Sequence, residues 1–399
     1  MKQAAMTLPA APARRRLFIA VVAETYPPEV NGVALTTERL VQGLLEAGHR
    51  VQLIRPVQAA DTVSQMAPML SQGGNGDCVV VTVAGMTIPF YRHLQLGLPA
   101  RRTLARLWRR ERPDAVHIVT EGPLGASALS LSRRLGLAVL SGFHTNFQNY
   151  SRYYKMGFLQ NPIMGYLRWF HNRCQCTLVP TEELRGHLAA HGFHNLRLLA
   201  RGVDTRLFSP SRRTEALRRE WGVEAAQPVV LYVGRLAAEK NLQLAVAAFQ
   251  AIREERPDAR FVLVGDGPLA SSLQKAHPDF VFRGTRHGKD LATHYASADL
   301  FLFPSLTETF GNVTLEAMAS GLAVVAFDYA AARQHIVHGR SGMRVACTDA
   351  AAFVLAARRL ALWPEHRQAL GREARRAAET LDWSLISRSL EDLFVEYTQ

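Results

Sequence analysis

Long apolar runs are missing from this chain of 399 residues, and cysteines are few. No stretch of 18 or more uncharged apolar residues occurs, so no transmembrane helix is expected. The four cysteines are too few for a disulfide framework in a chain of this length, which favours a reducing cytoplasm. The Cys-x-Cys pair at 174–176 lacks a second pair of ligands at the spacing of a zinc site.

A glycine-rich dinucleotide loop is also absent after the first apolar run. That run is followed by ETYPPEVNGVALT, which does not fit G-x-G-x-x-G and disfavours a nicotinamide-dependent enzyme. No nucleic-acid-binding motif accompanies the basic residues, so no nucleic-acid partner is expected. Both alternatives stay testable: NADH binding without nucleotide-sugar binding would favour the first, and tight salt-dependent nucleic-acid binding the second.

Charge is abundant but unevenly distributed. The formal net charge is +13, and residues 1–205 hold 23 Lys and Arg against 12 Asp and Glu, whereas residues 206–399 hold 24 against 22. A positive field of this size attracts anionic lipid, nucleic acid or phosphorylated substrates, although a solubilising surface is an equal alternative.

Short apolar runs alternate with helical patterns in both halves of the chain, which predicts an α/β fold with a parallel sheet in each half. We place an N-terminal domain at 1–205 and a C-terminal domain at 206–383, with a linker and short helix near 205–227. Ligands of such sheets bind beyond the carboxyl ends of the strands, here in a cleft between the two sheets. The last residues form an amphipathic helix, 384–399, that could pack on either domain and return to the first. Its predicted apolar stripe comprises Leu385, Leu390, Leu393 and Phe394.

The segment PSLTETFGNVTLEAMASG, residues 304–321, carries two glutamates eight positions apart. A helix beginning near Asn312 would leave Glu308 in the preceding loop and put Glu316 about one turn into the helix. Helix N-termini favour bound phosphate, and a carboxylate can accept hydrogen bonds from a vicinal diol. Capping or solvation of the helix is the equal alternative for Glu316.

The segment YVGRLAAEKN, residues 232–241, puts Arg235 and Lys240 directly after a strand. Two cations at the carboxyl end of a strand can hold a diphosphate and stabilise its charge as it departs. A solvated basic loop is the alternative.

Together, G-R-L-x-x-E-K at 234–240, V-G-D-G-P at 264–268 and the E-x₇-E pair resemble glycosyltransferase family 4. The ETYPP…NGV loop, the SGFHT strand end and the RGVD segment are similar to that family as well, so the resemblance covers residue 17 to the end. It implies the GT-B fold, with two Rossmann-like domains facing across a cleft, and a retaining transfer that needs no metal or other cofactor. The absence of Asp-x-Asp agrees with a metal-free site. The chain departs from many members at Asn31-Gly32, where they have Gly-Gly.

The resemblance also implies roles for individual residues. Arg235 and Lys240 would bind the donor diphosphate, and Glu316 the ribose. Glu308 would contact the transferred sugar and His144 would face it. Gly32 would permit close approach of the first loop to the donor, and Arg201 would lie near the floor of the cleft. Arg283 and Gly284 would cradle the base. Backbone amides at the start of the helix would contact the sugar and phosphate, at Phe310, Gly311, Asn312 and Val313.

The expected reaction is front-face transfer, in which the leaving phosphate oxygen takes the acceptor proton and the protein supplies orientation and electrostatic stabilisation. Resemblance is closest to bacterial glycolipid α-mannosyltransferases and sulfoquinovosyl-type transferases. The best expectation is therefore mannose from GDP-mannose and a lipid-linked or glycolipid acceptor. A UDP-sugar donor or a soluble sugar acceptor is the alternative.

Two segments in the basic half suit an anionic membrane surface. Residues 100–113 form a basic helix with Leu104, Leu107 and Trp108 on an apolar side, and residues 149–173 mix aromatic with basic residues. A core helix with solvated charges is the equal alternative for each. We therefore expect a cytoplasmic protein that can bind peripherally to the inner face of the membrane.

Overall fold

The computed structural model describes residues 15–29, 31–58, 69–73, 76–88, 91–144, 160–224, 227–308 and 310–399. Within these ranges the strands are β1 Phe18–Val22, β2 Arg50–Pro56, β3 Met69–Gly73, β4 Gly76–Val83, β5 Gly85–Ile88, β6 Tyr91–Gly97, β7 Ala115–Ile118, β8 Ala138–Gly142, β9 Cys176–Val179, β10 Leu196–Leu198, β11 Val229–Val233, β12 Arg260–Val264, β13 Val281–Phe282, β14 Leu300–Phe303, β15 Ala323–Phe327 and β16 Met343–Val345.

The helices within the same ranges are α1 Gly32–Glu46, α2 Arg101–Arg110, α3 Pro123–Leu135, α4 Gln160–His171, α5 Glu182–Ala190, α6 Glu215–Glu220, α7 Leu242–Glu255, α8 Ala270–Ala276, α9 Gly288–Ala296, α10 Asn312–Ala319, α11 Ala330–His335, α12 Ala350–Leu362, α13 Pro364–Glu379 and α14 Trp383–Thr398. Short 3₁₀ turns lie at Pro210–Arg212 and Ala238–Lys240. In this part of the chain no helix has the length and apolar character needed to cross a membrane.

Two mainly parallel sheets organise these elements. The described strands of the first half pair in the order β10-β9-β8-β7-β1-β2-β4-β3, and those of the second half in the order β13-β12-β11-β14-β15-β16. Only β3 runs antiparallel within them, against β4. The central strands FIAVV and VVLYV are buried at every residue, because helices cover both faces of a parallel sheet. The predicted α/β class with two Rossmann-like sheets is confirmed.

The first sheet has a separate apolar cluster on each face, and the second half has one large cluster. The segment near 205–227 contributes to that larger cluster through Leu217 and Trp221. The buried Arg218 guanidinium pairs with Asp299 at 3.1 Å, so α6 is anchored to the second sheet. The division at residue 205 stays a prediction.

The C-terminal helix α14 packs against α1 in the first half, where Leu390 and Phe394 are buried. Leu393 is partly buried, but Leu385 is exposed, so its place in the predicted stripe is wrong. In this first turn it is Trp383 and Ile386 that pack against the core, and Leu385 faces away from it. The chain passes from the first half to the second near Val203 and returns to the first half near Leu381. These two connections lie side by side, since the Val203 amide donates to the Leu381 carbonyl at 2.9 Å.

Candidate active site

The loop after β14 and the start of α10 bring two carboxylates near the second sheet's edge. Gly311 precedes the helix with φ of 90°, a left-handed conformation that a side chain would strain. The helix begins at Asn312, so its first amides lack intrahelical acceptors and face the end of the loop. Glu308 lies in the loop, and Glu316 lies about one turn into the helix, as predicted.

Glu308 is held by three groups in this loop region. Its Oε1 accepts from Lys240 Nζ at 2.5 Å and from Ser305 Oγ at 2.7 Å, while its carbonyl accepts from Tyr329 Oη at 2.9 Å. The Lys240 and Glu308 side chains are 17% and 15% exposed. A charged pair this sheltered has lost much of its water, so its partners depend on each other.

Arg235 lies nearer the surface than Lys240. Its side chain is 51% exposed, and its guanidinium approaches Glu239 at 3.5 Å. The Arg235 carbonyl accepts a hydrogen bond from the buried Tyr232 hydroxyl at 3.2 Å. The backbone of this turn is therefore anchored, while its cation is half exposed and accessible from solvent.

The turns after β11 and β12 pack backbone against backbone. A Cβ on Gly265 would lie 2.0 Å from the Gly234 carbonyl oxygen, and the Gly265 φ is 136°. The Gly265 amide donates to the Gly284 carbonyl at 2.8 Å. Glycine at this position lets three strand ends converge.

Arg201 and His144 contact each other on the first-half side. Arg201 is buried, and its Nη2 lies 3.3 Å from His144 Nδ1. Burial lowers the pKa of Arg201 to about 10, with the Glu308 charge opposing the shift. Burial, and then the Arg201 charge, holds the pKa of His144 well below its usual range. The imidazole is therefore neutral at neutral pH and accepts from the guanidinium.

The two halves meet at this arginine. Its guanidinium carbon lies 5.7 Å from the centroid of the Phe310 ring. A Cβ built on Gly32 would lie 3.5 Å from Arg201 Nη1 and 3.8 Å from Asn312 Nδ2. Asn312 Oδ1 is buried without a hydrogen-bond partner among the described residues. The start of α1 thus lies against Arg201 and α10, at a distance where a Cβ at position 32 would make only ordinary van der Waals contacts. The preceding residue, Asn31, caps α1 by accepting from the amides of residues 33 and 34, which accounts for the departure from Gly-Gly.

Glu316 is partly buried beneath the loop. Its Oε2 accepts from the Tyr295 hydroxyl at 2.9 Å. Burial raises the pKa of Glu316 to about 7, and the hydrogen bond from Tyr295 limits the rise. A carboxyl group in this state can release its proton when hydroxyl donors arrive.

Arg283 and Gly284 are the residues predicted to cradle the base, and the Arg283 side chain points away from the other predicted donor-site residues. The Arg283 guanidinium reaches Glu220 at 3.0 Å and His294 Nε2 at 3.4 Å, away from the Lys240–Glu308 pair. The Arg283 side chain is thus engaged within the second half, and the base-binding role of Arg283 and Gly284 stays a prediction. Val313 packs against the second-half core. The structure thus gathers Gly32, His144, Arg201, Lys240, Glu308, Phe310 and Asn312, and their individual roles stay predictions.

Several groups at this site were not predicted from the sequence. Tyr295, Ser305 and Tyr329 hold the two glutamates, and no residue pattern marks them. Elsewhere in the first half, Glu24, just after β1, is buried, and its Oε1 accepts from the Leu124 amide at the start of α3 at 3.0 Å. Burial raises the pKa of Glu24 to about 7, against backbone hydrogen bonds that lower it.

Two mainly parallel sheets, with a cation, carboxylates and a helix N-terminus near their strand ends, have the architecture of the GT-B fold. Residues 30–207 match the profile of Glycosyltransferase Family 4, and residues 227–362 match Glycosyl transferases group 1. The chain belongs to glycosyltransferase family 4 and is a glycosyltransferase.

Relatives and solved structures agree with this assignment. A GDP-mannose-dependent alpha-mannosyltransferase of Mycobacterium tuberculosis is 36% identical over 82% of this chain and 82% of its own length. The sulfoquinovosyl transferase SQD2 of Arabidopsis thaliana is 33% identical over 74% of this chain and 59% of its own. Sucrose-phosphate synthase from Thermosynechococcus elongatus superposes with a TM-score of 0.78 at 19% identity, covering 96% of this chain and 99% of that one, which supports the fold.

Proposed function

We propose that this enzyme transfers mannose from GDP-mannose, with retention of configuration, to a lipid-linked or glycolipid acceptor. Relatives named GDP-mannose-dependent alpha-mannosyltransferase match at 33% and 36% identity, and others are named sulfoquinovosyl transferase and alpha-monoglucosyldiacylglycerol synthase. The observation that carries the proposal is the sheltered Lys240 ammonium beside the loop that leads into α10.

The donor diphosphate would lie between Lys240, Arg235 and the first amides of α10. The cations and the helix dipole stabilise the charge that builds on the leaving phosphate. Glu316 would accept the ribose hydroxyls. Because this chain supplies two cations, we propose that the reaction needs no divalent metal or other cofactor.

Lys240 would exchange partners during the reaction. It is neutralised by Glu308 at 2.5 Å, so an arriving phosphate shares or replaces that carboxylate. Released from the lysine, Glu308 can accept a hydrogen bond from a sugar hydroxyl. This exchange couples donor binding to the position of the sugar.

The acceptor hydroxyl would attack on the face from which the phosphate leaves, and the phosphate oxygen would take its proton. His144 would face the sugar as a neutral imidazole, which can donate or accept a hydrogen bond. Arg201 fixes its ring through the 3.3 Å contact.

The test is transfer from GDP-mannose, UDP-glucose and UDP-sulfoquinovose into a bacterial lipid extract and into soluble sugars, with the anomer of each product assigned by NMR. We expect an α-linked mannolipid from GDP-mannose, and none from the Glu316→Gln variant. A β-linked product would overturn the retaining mechanism. Preference for a UDP-sugar or a soluble acceptor would replace the proposed substrates while leaving the family intact.

We further propose that the basic first half binds an anionic membrane surface. On α2, Leu104 and Trp108 are buried and Trp108 Nε1 donates to Gln52 at 3.0 Å, so the apolar side predicted for membrane contact faces the core instead. The arginines of this helix are exposed to solvent, namely Arg101, Arg102, Arg106, Arg109 and Arg110. Attraction through α2 would therefore be electrostatic.

Exposed aromatic residues on α4 accompany this charge. Tyr166 and Trp169 are 41% and 45% exposed and stack with centroids 5.9 Å apart, and the Arg173 guanidinium lies 4.5 Å from the Trp169 centroid. Aromatic and basic side chains together favour the headgroup region of a bilayer. Residues 149–159 of the predicted membrane segment lie outside the described residues.

Flotation with vesicles of phosphatidylcholine, with and without phosphatidylglycerol, tests this surface. An arginine near an anionic surface contributes about 1 kcal/mol, so Arg106→Glu with Arg109→Glu should weaken binding at least tenfold. The matched Arg372→Glu, an exposed arginine on α13, should bind as the parent protein does. Equal flotation with both vesicle types would contradict the proposal.

A further inference from the structure

The carboxylate of Glu316 has an unusual partner for a residue expected to face a ligand. Its Oε2 accepts from the hydroxyl of Tyr295, a fully buried tyrosine on α9, at 2.9 Å. Tyr295 is itself fixed by aromatic neighbours: its ring centroid lies 5.6 Å from that of Phe208 and 5.7 Å from that of Phe301. The hydroxyl therefore cannot follow Glu316 if that side chain turns away.

We propose that Tyr295 is a positioning residue, which fixes the Glu316 carboxylate in one orientation and keeps it an acceptor for the two nucleoside hydroxyls. The proposal rests on the proposed function of Glu316. With Oε2 already engaged by the phenol, the carboxylate plane is set and its remaining lone pairs are directed toward a ligand. A carboxylate that is already fixed in its binding orientation loses less conformational entropy when the ligand binds.

The phenol also acts on the proton equilibrium of Glu316. A hydrogen bond to an ionised carboxylate lowers the pKa of that carboxyl group, whereas burial raises it. The pKa of Tyr295 is raised well above its usual range by burial and then by the Glu316 charge, so its hydroxyl keeps its proton and remains a donor. Loss of the hydroxyl should therefore raise the Glu316 pKa further.

Other charged groups on the neighbouring elements have different partners. On α13, Arg375 donates to the Ala319 carbonyl at 2.7 Å, and on α11 His335 packs against Phe310. On α9, His294 approaches Asp290 at 3.3 Å. The strand β15, AVVAF, has no titratable side chain. Among the described residues, Tyr295 is thus the polar group that acts on Glu316.

The experiment is calorimetric titration with GDP, repeated from about pH 5 to about pH 9, on either side of the ordinary and the raised carboxyl pKa. The Tyr295→Phe variant removes one oxygen from the buried ring. We expect its GDP affinity to fall about tenfold near pH 7, and by a smaller factor near pH 9, where Glu316 is ionised in both proteins and only the fixed orientation is lost. The midpoint of the pH profile should move upward.

Tyr232→Phe is the matched control. Tyr232 is also buried, but its hydroxyl donates to the Arg235 carbonyl, so its loss should leave the pH midpoint in place. A Tyr295→Phe profile parallel to that of the parent protein would overturn the positioning role. That result differs from failure of the proposed function, in which Glu316→Gln would bind GDP as tightly as the parent protein, or the parent protein would bind neither GDP nor UDP.

Discussion

Glu316→Gln should make the ligand-free protein more stable at alkaline pH, while it removes donor binding. Burial raises the pKa of Glu316 from 4.5 to about 7. Between these values the unfolded chain is ionised at this residue and the folded protein is still protonated. The folded state then binds more protons, so stability falls as pH rises through this interval and the loss is complete above about pH 7.

The size of this loss follows from the shift. Each pKa unit corresponds to about 1.4 kcal/mol, so the ionised carboxylate costs the folded protein about 3 kcal/mol at alkaline pH. Glutamine has the same shape and cannot ionise, and its carbonyl oxygen can still accept from Tyr295. The variant should therefore match the parent protein near pH 5 and exceed it by about 3 kcal/mol above pH 8.

The assay is thermal unfolding of both proteins, without nucleotide, across this range of pH. An excess of about 3 kcal/mol corresponds to roughly 6–12 °C in the unfolding midpoint of a domain of this size. Glu24, whose pKa is also raised to about 7, is present in both proteins, so its contribution cancels in the comparison. Midpoints that differ by the same amount at every pH would refute the reasoning.

Three other variants extend these tests. Lys240→Ala should weaken GDP binding roughly 10–100-fold in calorimetry, because it removes a charged hydrogen-bond donor, whereas exposed Lys275→Ala should leave binding unchanged. His144→Gln should lower kcat about 100-fold with little change in the GDP dissociation constant, since the imidazole is placed beside the sugar and not the nucleotide. Gly265→Ala should lower the unfolding midpoint by several degrees, because its Cβ would lie 2.0 Å from the Gly234 oxygen, whereas Gly186→Ala on α5 meets open space and should not. Equal effects from a variant and its control would contradict the corresponding assignment.

Much of the fold was predictable because its sheets are made of short, continuous apolar runs. FIAVV, VVLYV and AVVAF are buried at every residue, and a parallel sheet covered on both faces requires this pattern. Strands β3 to β6 were not predicted, and of these MLSQG and GMTI are short and weakly alternating. Their pairing depends on neighbouring strands and not on their own composition.

The destinations of amphipathic helices were harder to predict than the helices themselves. The apolar residues of α2 look suited to a bilayer, but Trp108 enters the core and donates to Gln52 on β2. An apolar stripe indicates that one face of the helix is shielded from water, but it does not show whether the protein core or a bilayer shields it. The same ambiguity applied to α14, which packs on the first half through Leu390 and Phe394.

At the candidate site, the residues near a turn or a helix start were predictable from the sequence. The side chains that hold them in place by hydrogen bonds were not. Glu308 and Glu316 stand at positions that the chain around Gly311 determines locally. Tyr295 reaches Glu316 from a different helix 21 positions away, and such a contact depends on packing between helices. The contact between Arg201 and His144, 57 positions apart, has the same origin.

The most direct measurement is calorimetric titration of the parent protein, Lys240→Ala and Glu316→Gln with GDP, UDP and ADP at pH 8, where the Glu316 carboxylate is ionised. We predict that the parent protein binds GDP most tightly and that each substitution weakens this binding at least tenfold. Parent-like binding in either variant would show that the nucleotide lies elsewhere and would contradict the account.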